Sequence, residues 1–135
     1  MSIGHGAAAR LSQADGTAVI YSYCCFNLNR EDWETARQTF DGALFIDRDA
    51  FVEPEIRERI KKTPSGRKRL VTKRVKRDVS PEALLAAGKI TVRNAGGTWL
   101  VNDAGIDRMA IRLLDRVFEL YQETGAVPEN AGIFY

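Results

Sequence analysis

The feature that most narrows the folds open to this chain is one amphipathic helix near its C-terminal end. Ile106, Met109, Ala110, Leu113, Leu114, Val117, Leu120 and Tyr121 recur at helical spacing and form a continuous apolar stripe. Arg108, Arg112, Asp115 and Glu119 mark the wet side, and Gly125 with Pro128 supplies a stop. A helix with one apolar side must lay it on a second layer of structure. Ile111 and Phe118 widen the stripe beyond what one core-facing side requires. Together with the apolar end Ile133-Phe134-Tyr135 they mark a candidate protein interface, for self-association or another protein.

The second layer is predicted early in the chain. Residues 7–13 and 17–28 read as strands joined at Ala14-Asp15-Gly16, where Asp-Gly suits the positive φ angles of a tight hairpin turn. The second strand is apolar on both faces: Ala18, Ile20, Cys24 and Phe26 on one, Val19, Tyr21, Tyr23 and Cys25 on the other. Two apolar faces predict a central strand, covered on both sides or at a subunit contact. Residues 1–6 are small and Gly-rich and are predicted to fray, which leaves 7–135 as one domain of ordinary size.

Between these layers the signals are shorter. Asn29 is predicted to cap a helix, with Asp32 three residues on. That helix carries Trp33, Ala36, Arg37 and Phe40 and ends at Gly42. Residues 43–46 read as a buried strand. Pro54 is predicted to open a second helix, with Glu53 and Glu55 early and Lys61 and Lys62 late, as the helix dipole prefers. Thr63-Pro64-Ser65-Gly66 is a turn. Residues 67–79 fit both periods, and their Val and Thr content favours an edge strand. Ser80-Pro81-Glu82 starts a short helix that Gly88 ends. Residues 89–94 and 98–102 are predicted to form a second hairpin across Ala95-Gly96-Gly97, with only one of Trp99 and Leu100 pointing inward. The fold class expected is α+β: a small, mostly antiparallel sheet of two β-hairpins plus one or two extra strands, packed by the long C-terminal helix and two or three shorter helices.

Charge carries the functional signal. The net charge of +2 conceals a split along the chain. Residues 57–77 hold eleven bases (Arg57, Arg59, Lys61, Lys62, Arg67, Lys68, Arg69, Lys73, Arg74, Lys76 and Arg77) and one acid, Glu58. Elsewhere nine basic residues face seventeen acidic ones, a charge of −8. Such a run can lie along a nucleic-acid backbone, displacing counterions. It can dock an acidic protein or a second copy of this chain. It can also be a solvated edge that keeps other strands from pairing. The run has few aromatics, so contact with backbone phosphates is favoured over reading of unstacked bases. The leading expectation is a non-enzymatic binding or accessory domain whose basic segment faces nucleic acid. The alternative is a protein-interaction or self-association module.

Enzymatic signals are sparse. His5 is the only histidine, so Ser-His-Asp and Cys-His arrangements lack a positioned base. Cys24 and Cys25 are adjacent and lack zinc-ligand spacing. They read as two thiols of a reducing compartment, or else as a vicinal redox pair. Asp47 and Asp49 follow the 43–46 strand, with Glu53 and Glu55 nearby, a place from which carboxylates hold Mg²⁺. A Mg²⁺-dependent nuclease is therefore the enzymatic alternative, although the same residues are ordinary in turns and helix starts. Ser65-Gly66-Arg67 lacks the pattern of a nucleotide loop. No cofactor or metal is expected. Without a leader or a long apolar run, the expectation is a cytoplasmic protein with no membrane partner.

Overall fold

The structure, a computed structural model, describes residues 4–135. Its elements in chain order are β1 (His5–Ala14), β2 (Ala18–Asn27), α1 (Trp33–Gln38), β3 (Gly42–Asp47), β4 (Glu55–Lys62), β5 (Lys68–Val75), α2 (Pro81–Ala86), β6 (Ile90–Arg93), α3 (Arg108–Thr124) and β7 (Asn130–Phe134), with a 3-10 turn at Arg48–Ala50. The class is α+β. Five antiparallel strands form one sheet in the order β6-β3-β2-β1-β7, and β4 with β5 forms a separate two-stranded ribbon.

The two expected layers meet as the sequence requires. Alternation along β1, β2 and β3 sends Ala7, Ala9, Val19, Tyr21, Tyr23, Cys25, Leu44 and Ile46 into one core with Met109, Leu113, Leu114 and Val117 of α3. β2 is the central strand. Its other face buries Cys24 and Phe26, near α1. α3 starts on Asp107, whose carboxylate accepts from Met109 N–H at 2.9 Å, and stops at Gly125 with φ 76°. α2 also matches expectation, with Ser80 Oγ accepting from Ala83 N–H and Gly88 at φ 76°. Among the described residues, no helix is long and apolar enough to cross a membrane.

Several local expectations are corrected. The β1–β2 turn does not depend on a positive φ at Gly16. The Asp15 carboxylate instead accepts from Thr17 N–H, Thr17 Oγ–H and Ala18 N–H at 2.7–2.9 Å, and these donors hold its pKa down at about 2. Asn29 does not cap α1. It donates to the Asn27 side-chain oxygen, and the helix starts later, on Asp32. Gly42 opens β3 opposite Tyr23, whose ring lies where a Cβ would stand.

His5 and Gly6, expected in a frayed tail, belong to β1. His5 exchanges backbone hydrogen bonds with Tyr135, and its imidazole stacks on the Tyr135 ring. Met1 to Ile3 of that tail lie outside the described residues.

Two larger elements also differ. Residues 55–62 are strand rather than helix. Ile56 and Ile60 are four apart, a spacing that suits both periods, and pairing along the full length of β5 decides for the strand. Residues 67–79 supply the expected edge strand, β5, which stands in the two-stranded ribbon. The second hairpin is absent. β6 pairs with β3, and residues 98–102 contribute only the isolated bridge Val101–Asp107. Trp99 packs against the core and Leu100 is exposed.

Candidate nucleic-acid interface

The register of the ribbon sorts the basic run into faces. Residues directly opposite in an antiparallel pair share a face, and every second residue along a strand does too. Arg57 faces Lys73, Arg59 faces Val71, and Lys61 faces Arg69, so five bases lie on one face. The other face holds Ile56, Glu58, Ile60, Leu70 and Thr72, with Lys62 and Lys68 toward the turn and Arg74 at the root. Arg67 lies just before β5, and Lys76 and Arg77 lie just after it.

The root of the ribbon is tied to α3. Arg74 Nη1 donates to the Glu123 carbonyl at 3.0 Å, and Lys76 pairs with Glu119 at 3.1 Å. The buried Gln122 side chain accepts from Arg77 N–H and donates to Arg77 C=O, both at 2.8 Å. Lys76 holds the Glu119 carboxyl below the usual range. Arg57 does the same for Glu55, its neighbour along β4. The eleven bases therefore do not act as one patch. Arg74 and Lys76 serve the root. Among the described residues, Arg59, Lys61, Lys62, Arg67, Lys68, Arg69, Lys73 and Arg77 have no side-chain hydrogen bond or ion pair within the fold.

The other candidates fare differently. Ile111 and Phe118 are buried, at 9% and 3% exposure, so neither is a surface contact. Phe118 meets the Phe51 ring edge-on at 5.2 Å, which accounts for its place in the stripe. Of the apolar chain end, Ile133 packs against the core while Phe134 and Tyr135 stay exposed. Asp47 and Asp49 are spanned by the Lys89 ammonium, 3.8 Å from the first and 2.9 Å from the second. Asp49 in turn raises the Lys89 pKa. Among the described residues, no three His, Cys, Asp or Glu side chains converge as metal ligands. Cys24 and Cys25 are buried free thiols on opposite faces of β2. Burial raises both pKa values, Cys25 far above the ordinary range.

Two features have no local signature in the sequence. A groove of about 920 Å³ on the far side of the sheet from α3 gathers Arg10, Phe26, Trp33, Arg37, Phe40 and Phe134 from β1, β2, β7 and the α1 region. Arg10 already covers the Phe40 ring at 3.9 Å. Inside the core, Asp107 is fully buried and accepts from Tyr23 Oη at 2.9 Å and Thr98 Oγ1 at 3.2 Å. Tyr23 Oη also accepts from Ala95 N–H, which fastens the loop after β6 to the sheet.

No protein-family model, curated protein or solved structure matches the chain.

Proposed function

We propose that this chain is a non-enzymatic α+β binding domain that holds a nucleic-acid backbone against the basic face of its β4–β5 ribbon. The observation that supports this reading most is the register, which gathers Arg57, Arg59, Lys61, Arg69 and Lys73 on one side. Alternate residues of a strand advance about 6.7 Å. Successive phosphates on one strand of a duplex rise by about 3.4 Å along the axis and also wind around it, which sets them on the order of 6–7 Å apart in space. Arg57, Arg59 and Lys61 can therefore follow phosphates in step, with Arg69 and Lys73 alongside from β5. Contact is with phosphates, so it is indifferent to sequence.

The test is fluorescence anisotropy on duplexes of unrelated sequence across a salt series. About four phosphate contacts give a slope of log K against log salt near −3.6, or roughly 150-fold weaker binding from 50 to 200 mM salt. Arg59→Gln/Lys73→Gln should flatten the slope by about two contacts' worth, near 1.8, equally for every duplex. Absence of binding at low salt, or a slope unchanged in the double variant, overturns the reading.

A further inference from the structure

The face of the ribbon opposite the five bases carries three uncovered aliphatic side chains among charged ones. Ile56, Ile60 and Leu70 are 57%, 68% and 60% exposed, and Ile60 stands directly opposite Leu70 across the ribbon. Isolated two-stranded ribbons are marginal in water, and two-layer packing is the usual remedy. We propose that this face is a self-association surface, on which a second copy of the chain packs its own ribbon face to face.

Charge placement selects the second copy and its orientation. Along β4 this face reads Ile56, Glu58, Ile60, Lys62, and along β5 it reads Arg74, Thr72, Leu70, Lys68. Consider a two-fold axis that crosses the strands through the Ile60–Leu70 pair. Ile60 then meets Ile60 and Leu70 meets Leu70, a cluster of four aliphatic side chains. Glu58 of each copy meets Lys62 of the other, while Lys68 meets Thr72. An axis along the strands would instead set Lys62 against Lys68, a like-charge contact that disfavours that arrangement. The favoured axis runs the two ribbons in opposite directions, so the bodies sit at opposite ends. Both five-base faces then point outward and stay free, so association does not depend on nucleic acid. An anionic membrane is a poorer occupant, because lying on it would turn those five bases away from the lipid.

Each face is only about 26 Å long, from eight residues per strand. Two strands are about 10 Å wide, so the face covers roughly 260 Å², small beside the roughly 800 Å² per partner of a standard interface, and the dimer is weak and forms at high protein concentration. The experiment uses the full chain with Ile60→Cys, because the axis sets position 60 against itself. Cys24 and Cys25 are buried and stay silent under mild oxidation. Ile60→Cys should give a disulfide-linked dimer at least about tenfold faster than Arg59→Cys on the opposite face. In sedimentation, wild type should self-associate with rising concentration. Ile60→Thr/Leu70→Thr, which keeps β-forming side chains, should remain monomeric with unchanged amide spectra in the main sheet. Arg59→Gln/Lys73→Gln should dimerise as wild type does, which separates this surface from the nucleic-acid face. Equal cross-linking at positions 59 and 60, or a wild-type monomer at the highest concentrations, overturns the proposal. So does a monomeric wild type that binds anionic vesicles through Ile60 and Leu70.

Discussion

Removal of the Asp107 carboxylate tests what holds the loop between β6 and α3 to the sheet. In Asp107→Ala, Met109 N–H loses its cap acceptor and the Tyr23 hydroxyl loses the only acceptor it has among the described residues. Thr98 keeps a bond, because its hydroxyl also reaches the Ala95 carbonyl at 2.7 Å. Loss of a helix cap costs about 1 kcal/mol. A buried donor left without an acceptor costs about 1–3 kcal/mol. Together these give about 2–4 kcal/mol, a large share of the roughly 5–15 kcal/mol that holds a domain folded. Urea unfolding, followed by tryptophan fluorescence and circular dichroism, measures it, and an unchanged m value would show that the same transition is being compared. The Tyr23→Phe background isolates the second contribution. With no hydroxyl to strand, Asp107→Ala should cost about 1 kcal/mol there, the cap alone. A cost of about 3 kcal/mol in both backgrounds would refute the reasoning, as would a cost under about 0.5 kcal/mol in wild type.

Phe118→Glu should unfold the protein or strongly lower its melting temperature by circular dichroism, since it sets a carboxylate against Phe51 inside the core. A folded variant with a near-native transition would mean that Phe118 is on the surface after all. Asp15 should titrate with a midpoint at about 2 instead of its ordinary 3.8, read from its carboxyl carbon shift. Its folded-state pKa is depressed, so its contribution to stability is complete above the ordinary value and is lost as pH falls toward 2. Asp15→Asn should remove that part of the acid dependence and loosen the amides of Thr17 and Ala18.

The parts of the fold that were legible in the sequence are those where local periodicity and burial agree. The α3 stripe, the two-sided apolar β2 and the Ser80-Pro81 helix start each follow from neighbouring residues alone. The β1–β2 hairpin was also legible, although the Asp15 side chain makes its turn where a glycine conformation was expected. Misreadings fell where one spacing serves two periods or where distant residues decide. Ile56 and Ile60 suit helix and strand alike, and the acidic-to-basic order after Pro54 imitates a helix dipole. The place of Phe118 in the α3 stripe is explained by Phe51, far away in sequence. The basic run was visible as composition, but its division into a five-base face and a mixed face that carries Ile56, Ile60 and Leu70 depends on the pairing of β4 with β5. The groove draws on β1, β2, β7 and the α1 region, so no stretch of sequence announces it.

The place of β7 beside β1 bears on the order in which the molecule can assemble. Strands β1 and β2 turn about a few residues, and β3 follows within the same stretch of chain, so these pairings close short loops. Gly6 pairs with Phe134, near the other end of the chain. Loop-closure entropy grows only slowly with length, so this late pairing is not much weaker for being distant. It is late in time, however, because β1 has one side unsatisfied until residues 130–134 leave the ribosome. Throughout synthesis the free side of β1 is an open sheet edge, and its small, nearly uncharged residues Gly6, Ala7, Ala8 and Ala9 do little to deter wrong partners. The β7 strand thus acts as the chain's own cover for an edge that would otherwise recruit strangers.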